Sequence, residues 1–495
     1  MTGSSTGKYR SVKELDGKNI GVQTGTNFDE MVLADLPNAK VLYFNNKADM
    51  ANALLTGKID AYAIDEPVIQ FEMKQISDLT YIPEYLDTYD FAYVFTKNEK
   101  GETLRKELNE FLEKIKSDGT LEKIEDQWIH GSSDGWKLAD YRSFPAPKGI
   151  IHVATEPMYE PFGFIYNNEI VGYEDDIIVR FCEEYGYGLE LINTSYDSIL
   201  PSIQTGKYEI GAAGLTVTGE RAESVLFSES YFHGGTVLVV QKADEKAAAE
   251  TPSPKADFIS GTKESFNKTF IRESRWMLFL QGIMTTLLIT LLSILFGTIL
   301  GFLLFMMCRN GNPAANAVTA ACMWLVQGMP MVVLLMILYY VIFGSSSISG
   351  TAVAVIGFTL TFGSSVFGLL RMGVGAVDPG QYEAAYALGF NSLKTFFKII
   401  LPQAIPHVMP AYKGEIISLL KATAVVGYVA VQDLTKMGDI VRSRTYEAFF
   451  PLIAVTIIYF VLEAGLGLLI RQIQIKTDPK RRSAEDILKG VKDHD

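Results

Sequence analysis

Residues Glu383–Pro402 read EAAYALGFNSLKTFFKIILP and lie between two long apolar segments. Lys394 and Lys398 fall within this stretch, which predicts a loop at the face of a membrane rather than a further span. Its pattern is E-A-A, three residues, Gly389, nine residues, and then I-x-L-P ending at Pro402. An ordinary amphipathic surface helix does not require so many matched positions, so the pattern indicates a specialised loop.

The residue types in this stretch suit a contact with another protein. Ala384 and Ala385 leave room for a partner's surface, Gly389 permits a turn, and Pro402, which has no backbone donor, is expected to end a helix. The spacing resembles the coupling loop of permease subunits of bacterial ABC importers, a short helix–turn–helix that docks on an ATPase. This resemblance assigns ATPase coupling to Glu383, Ala384, Ala385, Gly389, Leu401 and Pro402.

The length and composition narrow the class of protein. A chain of 495 residues predicts two or three domains. The net charge of −13 argues against nucleic acid as a partner, because phosphate binding needs a basic patch. Three cysteines without regular spacing, and five histidines that do not cluster, predict neither a disulfide framework nor a metal site.

Residues 269–475 predict an all-α polytopic membrane domain of about five transmembrane helices. No charged residue occurs between Asn310 and Leu370, a run about long enough for two spans at ~20 residues each. The expected segments are spans at 278–307, 318–343, 351–370, 415–431 and 449–470, the coupling loop at 383–402 and a tail at 476–495. Since basic loops favour the cytoplasm, the loop and tail are expected inside and the preceding soluble part outside.

Two charged residues fall inside the predicted spans. Lys421 and Glu463 are candidates for lining a transport pathway, because lone charges in lipid are costly. Snorkelling to the membrane interface is an equal alternative, and pairing with the partner half is another.

The first half alternates short strands with helices, which predicts an α/β fold. LLTGKIDAYAIDE at residues 54–66 is echoed by SIQTGKYEIGAAG at residues 202–214, which indicates two similar lobes. The expected divisions are 1–148 for one lobe with closing helices, 149–242 for the other lobe, and 243–268 for an Ala/Pro-rich linker.

Most of residues 8–242 resembles the periplasmic amino-acid-binding proteins of solute-binding family 3, which close two lobes around one ligand. ATEPMYEPFGF, TSYDSILPSIQTGKYEIGAAGLTVTGER and FSESYF match the family's first lobe; SVKELDGKNIGVQTGT and TGKIDAYAIDEP match its second lobe, and SDGTLEKIEDQW its closing helix. The order here is second lobe, closing helix, first lobe. Either the chain is a piece of a tandem-domain protein, which the missing signal sequence favours, or it is a permuted domain. In both cases we expect the two halves to dock.

The resemblance implies a set of ligand contacts. Arg221 is expected to bind a carboxylate bidentately, with Thr216 and Gly214 at further contacts to the carboxylate and ammonium groups. Asp65 falls at the position that pairs with the α-ammonium, and Tyr159 at the position that stacks on the ligand side chain.

Further contacts follow from the same resemblance. Gly25, Thr26 and Asn27 open a helix whose free N–H groups suit a carboxylate. Glu156 faces the ligand side chain and favours a cationic or amide ligand, such as arginine or glutamine.

These features together predict an amino acid importer in which a receptor is fused to a permease. The chain has no GxxxxGK[ST] phosphate loop, so ATP is expected to bind to a separate ATPase dimer, and no cofactor or enzymatic activity is expected in this chain. A second permease subunit, as a homodimer, is the expected membrane partner. The alternative is a ligand-gated channel or amino-acid receptor with the same lobes, but no filter-like pore loop is evident.

Overall fold

The computed structural model describes residues 7–131, 136–243, 262–309, 311–344, 346, 348–445, 447 and 449–477. They form two compact units. The α/β unit contains the described residues up to Gly282, those within 340–347 and those within 427–453; the helical unit contains those within 283–339, 348–426 and 454–477. Most of the predicted linker (244–261) and of the predicted tail (478–495) lies outside the described residues.

The strands are β1 (Asn19–Gln23), β2 (Lys40–Phe44), β3 (Ala61–Asp65), β4 (Leu79–Tyr81), β5 (Asp87–Phe91), β6 (Val94–Phe95), β7 (Ile150–Thr155), β8 (Met158–Tyr159), β9 (Gly163–Tyr166), β10 (Glu169–Val171), β11 (Gly188–Asn193), β12 (Ile210–Ala212), β13 (Leu226–Phe227) and β14 (Phe232–Gln241). The helices are α1 (Phe28–Asp35), α2 (Lys47–Leu55), α3 (Glu66–Glu72), α4 (Glu99–Ser117), α5 (Thr120–Glu125), α6 (Tyr173–Tyr185), α7 (Tyr196–Gln204), α8 (Gly219–Ser224), α9 (Trp276–Cys308), α10 (Pro313–Gly328), α11 (Met331–Met336), α12 (Gly350–Gly375), α13 (Gly380–Ala387), α14 (Ser392–Thr395), α15 (Leu401–Ala422), α16 (Leu434–Thr445) and α17 (Phe449–Thr477).

Two larger sheets organise the α/β unit, and each contains strands from both halves of the sequence. The first has the order β2-β1-β3-β14-β4, with β5 also paired to β14. The second has the order β11-β7-β12-β6-β13. Strand β14 runs antiparallel to β3, and β6 runs antiparallel to β12. The halves therefore dock, as expected, and the division at residue 148 marks chain order but not the composition of the sheets.

The predicted closing helices lie at 99–125 and pack on the second half. The ring of Phe111 in α4 lies 5.9 Å from that of Phe181 in α6. Trp128, which follows α5 and is almost fully buried, donates from Nε1 to Asp176 Oδ2 at 2.9 Å. Because a buried indole N–H needs an acceptor, this bond positions the closing segment.

In the described chain, three helices are long and apolar enough to cross a membrane, or up to five if each of two bent pairs is one span. One of these pairs is broken at Gly328 and Pro330, with the helices on its two sides bent by 108°. Within the helical unit, α9 and α12 approach closely at glycines: a Cβ on Gly301 would lie 2.5 Å from the Gly363 carbonyl oxygen. Small residues allow two helix backbones to approach closely. Such close packing is important in a membrane, because lipid provides no hydrophobic driving force for helices to associate.

The predicted fourth span, 415–431, overlaps a longer helical segment, and its membrane bounds stay a prediction. Helix α15 continues without a break from α14 and the helical turn Phe396–Ile400. The prediction that Pro402 ends a helix was wrong, because Pro402 lies within this helical segment. The π-helical turn Phe396–Ile400 comes directly before α15, and such local adjustments allow a helix to accommodate a proline. Lys413 and Lys421 interrupt the apolar pattern, but charged side chains do not interrupt backbone hydrogen bonding, so the helix extends beyond the apolar segment on its N-terminal side.

Candidate functional site

A pocket in the α/β unit brings together most of the predicted ligand residues. Its lining residues are Gln23, Thr26, Asn27, Phe28, Asp65, Glu156, Tyr159, Tyr196, Ala213, Gly214 and Thr216. Seven of the nine predicted residues line it, and Gly25 and Arg221 do not. The first half contributes the ends of β1 and β3 and the start of α1, and the second half contributes the segments after β7 and β12.

Asp65 supplies a buried carboxylate at the end of β3. Only 2% of the residue is exposed. The hydroxyl of Tyr159 donates to Oδ2, and Thr236 Oγ1 donates to Oδ1 at 3.2 Å. Burial raises the pKa of Asp65 to about 7, although both hydrogen bonds act in the opposite direction. A positively charged ligand group would restore the ionised form.

Glu156 supplies a second buried carboxylate in the same pocket. Gln23 Nε2 donates to its two oxygens at 3.2 and 3.5 Å. Burial raises the pKa of Glu156 to about 7, while Lys436 and the amide of Gln23 act to lower it. The pocket therefore has two acidic positions that favour a cation, and one of them has an amide beside it.

Arg221 lies at the edge of the pocket and not in its wall. Its guanidinium donates to the carbonyl oxygen of Thr216 at 3.1 Å and to that of Gly25 at 3.0 Å. To bind a carboxylate bidentately, as predicted, the guanidinium would have to exchange these bonds. In this arrangement Arg221 instead links the second half of the sequence to the first.

Two glycines of the site, Gly25 and Gly214, have a positive φ, a backbone conformation that residues with a Cβ rarely adopt. Gly25 has φ +85° just before α1, whose N-cap is Asn27. Gly214 has φ +58°, and a Cβ there would lie 3.1 Å from the ring of Phe91. Gly214 N–H donates to Glu174 Oε2 at 2.9 Å, so this donor is already used within the protein. Glu174 thereby positions the Gly214 loop.

Sequence reasoning missed Gln23, Phe28, Tyr196 and Ala213. Gln23 is the last residue of β1, directly before the Gly/Thr turn, so its place at a strand end was a usable signal. Tyr196 begins α7 within the TSYDS motif that supported the family resemblance. Phe28 and Ala213 are apolar neighbours of predicted residues and had no distinctive chemistry.

No metal site was found among the residues that the structure describes: no three His, Cys, Asp or Glu side chains come together in a way that could hold an ion.

The predicted coupling loop forms a helix, a tight turn and a second helical segment in the helical unit. Helix α13 ends in a Schellman motif: Gly389 N–H donates to the Tyr386 carbonyl and Phe390 N–H to that of Ala385, both at 3.0 Å. Gly389 has φ +78°, as this motif requires. The predicted glycine turn is therefore present.

Exposure within this loop differs from the prediction at one alanine. Ala384 is exposed, but Ala385 is buried, because it lies on the inner face of α13. The large apolar side chains exposed in this loop are Tyr386, Leu388, Leu393 and Phe397, and Leu388 is 76% exposed. Of the two predicted alanines, Ala384 alone could therefore admit a partner's surface, and Leu388 is an additional candidate that the motif did not suggest.

The two charged residues predicted inside spans form an ion pair with each other. Lys421 Nζ lies 2.9 Å from Glu463 Oε2, with exposed side-chain fractions of 58% and 29%. Pairing offsets the cost of a charge in an apolar surrounding. A role for either residue in a pathway stays a prediction.

An α/β unit with a polar pocket, carried on the same chain as several candidate membrane helices, defines a membrane protein with its own solute-binding domain. A family model for bacterial extracellular solute-binding proteins, family 3, matches residues 151–423, more than half of the chain. A putative glutamine transport system permease protein of Rickettsia bellii is 33% identical over 201 residues, covering 40% of this chain and 91% of the relative. The arginine transport system permease protein of Bacillus subtilis is 32% identical over 188 residues, covering 37% and 84%.

The chain therefore belongs to family 3 of the bacterial extracellular solute-binding proteins and shares its membrane part with the permeases of amino acid transport systems. A solved chain from an amino acid ABC transporter is 28% identical, covers 46% of this chain and 100% of its own length, and has a TM-score of 0.39. The matched relatives are transport permeases and not enzymes, and they favour the importer over the ligand-gated channel. The chain is a multi-pass membrane protein with a fused binding domain.

Proposed function

We propose that this chain captures a polar amino acid in its α/β unit and passes it through a membrane pathway, driven by ATP hydrolysis on a separate ATPase dimer. The observation that carries the proposal is the pocket, where the buried carboxylate of Asp65 suits an α-ammonium group. The helix start at Thr26 and Asn27, with Arg221 nearby, suits an α-carboxylate. The remaining polar groups, Glu156 and Gln23, then face the ligand side chain.

The ligand class follows from these last two residues. Glu156 can accept from a guanidinium, an ammonium or an amide N–H group, and Gln23 can both donate and accept. We therefore propose a cationic or amide amino acid, such as arginine or glutamine. The similarity to permeases named for glutamine and arginine transport supports this range.

The exposed turn around Gly389 is the proposed docking site of the ATPase. Glu383, Ala384 and Leu388 are exposed on one short helix and its turn, so a partner could contact them directly. Arg309 stabilises the turn from within the helical unit: it donates to the Ser392 carbonyl at 2.8 Å and lies over the ring of Phe396. The turn and the tail are proposed to be cytoplasmic, and the binding domain lies outside.

A second copy of this chain is the proposed partner in the membrane, so that two permease halves enclose the pathway. Lys421 and Glu463, paired at 2.9 Å, are its candidate lining residues.

Uptake into liposomes tests the proposal. The chain is reconstituted with its ATPase subunit, and labelled arginine, glutamine and glutamate are supplied on the side of the binding domain. Saturable accumulation that requires enclosed ATP is expected. Ion current without ATP, or no uptake of any amino acid by a preparation that hydrolyses ATP, would contradict the proposal.

Replacing Glu156 by glutamine is expected to change the ligand preference. The substitution keeps the size of the side chain but removes its charge, so a cationic ligand loses a charge-assisted hydrogen bond of about 1.5–3 kcal/mol. The Kd for arginine should rise by about 10- to 100-fold, whereas that for glutamine should change by less than about fivefold. Titration calorimetry measures both. An equal effect on the two ligands would place Glu156 away from the ligand side chain.

Ligand affinity is expected to fall on acidification. The pKa values of Asp65 and Glu156 are both raised to about 7 by burial, so below pH 7 a cationic group must displace protons. Between pH 7.5 and 6, Kd should rise about tenfold if only Asp65 must ionise, and close to a hundredfold if both must. Calorimetry in two buffers with different ionisation enthalpies counts the released protons.

The stability of the ligand-free domain should respond to pH in the opposite direction. A carboxyl whose folded-state pKa is raised favours the folded state below its ordinary pKa near 4 and loses that contribution as the pH rises through about 7. A pH-independent Kd would contradict the assignment of these two acids to the ligand.

A further inference from the structure

Helix α16 lies in the membrane half of the sequence. We propose that it holds the binding cleft closed by pairing Arg444 and Arg442 with opposite walls of that cleft. The cleft is the space that contains the pocket, and its two walls are the parts of the α/β unit contributed by the first and by the second half of the sequence. Neither arginine lines the pocket, so this is a positioning role that raises ligand affinity from outside. The inference rests on the proposed function for the identity of the ligand. Its geometric part, the closure of the cleft, does not need a ligand.

The core of the contact is a buried network of four charged side chains. Lys47 Nζ lies 3.2 Å from Glu72 Oε1 and 2.6 Å from Glu160 Oε2. Arg444 Nη1 lies 3.1 Å from Glu160 Oε1, and outside these four side chains Arg444 Nη2 lies 3.3 Å from Glu273 Oε2. None of the four side chains is more than 8% exposed.

The buried charges of this network balance only when Arg444 is included. Without Arg444, one buried cation would face two buried carboxylates, and an uncompensated buried charge is strongly unfavourable. Burial alone would raise the pKa of Glu160, but Lys47 and Arg444 together hold it below its usual value. The binding domain is therefore electrostatically complete only with α16 in place.

The network crosses the cleft beside the pocket. Lys47 begins α2, which packs on β1 and β3, and Asp65 ends β3. Glu160 directly follows Tyr159, which lines the pocket from the opposite side. The pair Lys47–Glu160 can exist only while the two walls are together.

Helix α16 contacts both walls at once. Arg444 pairs with Glu160 on one wall, and Arg442 Nη2 lies 3.2 Å from Asp49 Oδ2, in α2 on the other wall. The guanidinium of Arg444 also lies 5.2 Å from the centroid of the Phe164 ring. Since one helix holds two arginines at a fixed spacing, the walls cannot separate without breaking at least one pair.

A contact that favours the closed cleft raises apparent ligand affinity without touching the ligand. The observed Kd equals the intrinsic Kd divided by the fraction of competent molecules, so a smaller closed fraction weakens binding in proportion. The coupling is reciprocal: ligand binding must strengthen the contact of α16 with the walls. The permease half could thereby distinguish a loaded domain from an empty one.

The first test measures closure without ligand. Spin labels are placed at the exposed positions Lys40→Cys and Glu190→Cys in a full chain whose native cysteines are alanine, held in nanodiscs with the ATPase subunit. We expect Arg444→Gln to shift the distance distribution toward longer separations. An unchanged distribution would overturn the proposal, whether or not the ligand has been identified.

The second test measures affinity for arginine and glutamine in the same preparation. Arg444→Gln should raise the Kd of the bound amino acid about tenfold, mainly through faster dissociation, and Arg442→Gln about threefold. The matched control is Arg142→Gln, which removes an exposed ion pair with Glu169 and should change Kd by less than twofold. If neither amino acid binds the unsubstituted chain, the proposed ligand class fails, and the label distances alone decide on closure.

A double variant distinguishes an effect of Arg444 on closure of the cleft from an effect on the stability of the fold. Arg444→Gln with Glu160→Gln restores the buried charge balance, because Lys47 still pairs with Glu72 and Arg275 still pairs with Glu273. Thermal stability should recover while Kd stays raised, since the walls remain unlinked. Recovery of both stability and Kd would show that Arg444 serves folding alone and would overturn the proposal.

Discussion

Replacing Asp65 by asparagine is expected to raise the Kd for the amino acid ligand by about two to three orders of magnitude at pH 7.5. The carboxylate is 2% exposed, and the ammonium it is proposed to bind would be left as an unpaired charge in a buried site. Removing one partner of a buried ion pair costs about 3–5 kcal/mol. Asparagine keeps one acceptor oxygen for either Tyr159 or Thr236, and its amide N–H can donate to the oxygen of the other hydroxyl, so the domain should still fold. Titration calorimetry on the full chain measures the loss.

The matched control is Asp90→Asn in β5. Asp90 is exposed and pairs with His233 at 3.1 Å, and such surface pairs contribute about 0–1 kcal/mol. Its Kd should stay within about twofold of the unsubstituted chain. If Asp65→Asn bound within tenfold of the original affinity, Asp65 would not be the partner of the ligand ammonium.

Replacing Gly389 by valine should reduce ATP-driven uptake by at least about tenfold while leaving amino acid binding unchanged. A side chain at φ +78° cannot be accommodated without strain, and the left-handed conformation costs about 1–2 kcal/mol for a residue with a Cβ. A Cβ at Gly389 would meet nothing within 4 Å, so the effect comes from the backbone and not from a clash. The two Schellman bonds that orient the end of α13 should then weaken.

Gly57→Val provides the control for backbone strain. Gly57 has φ +72° and also has open space at its Cβ position, but it lies in a surface turn of the binding domain. Uptake by this variant should stay within about twofold. Equal loss in the two variants, or loss of binding in Gly389→Val, would show that the turn at Gly389 is not a coupling element.

The motifs that carry the family resemblance predicted which residues of the candidate site lie together, but not the conformation of each residue. They assigned Asp65, Glu156 and Gly214 to one ligand, and these three residues line one pocket. Their contact with a ligand stays a prediction. Arg221 shows the limit of this reasoning. Its carbonyl partners at Thr216 and Gly25 depend on how closely the two lobes approach, which no local pattern contains.

The membrane half shows the same difference between what the sequence pattern predicts and what only the tertiary contacts decide. Apolar runs predicted three long helices to within a few residues, and a fourth apolar segment is broken at Gly328 and Pro330. The helix after Gly389 is longer than its apolar segment, because Lys413 and Lys421 do not interrupt it. The partner of Lys421 lies on another helix, at Glu463, and could not be chosen from sequence distance.

By itself, the sequence determined the classes of element, the two-lobe pattern and the glycine turn at Gly389, because these depend on periodicity and on the backbone freedom of single residues. Most of the pocket was predicted from the family resemblance of its motifs. The tertiary structure alone decided which strands are exchanged between the halves and which charges are buried together. Lys47, Glu160 and Arg444 are far apart in the chain, and each alone would be assigned to a solvated surface. Only folding brings them out of water, and in that setting each charge requires a specific partner.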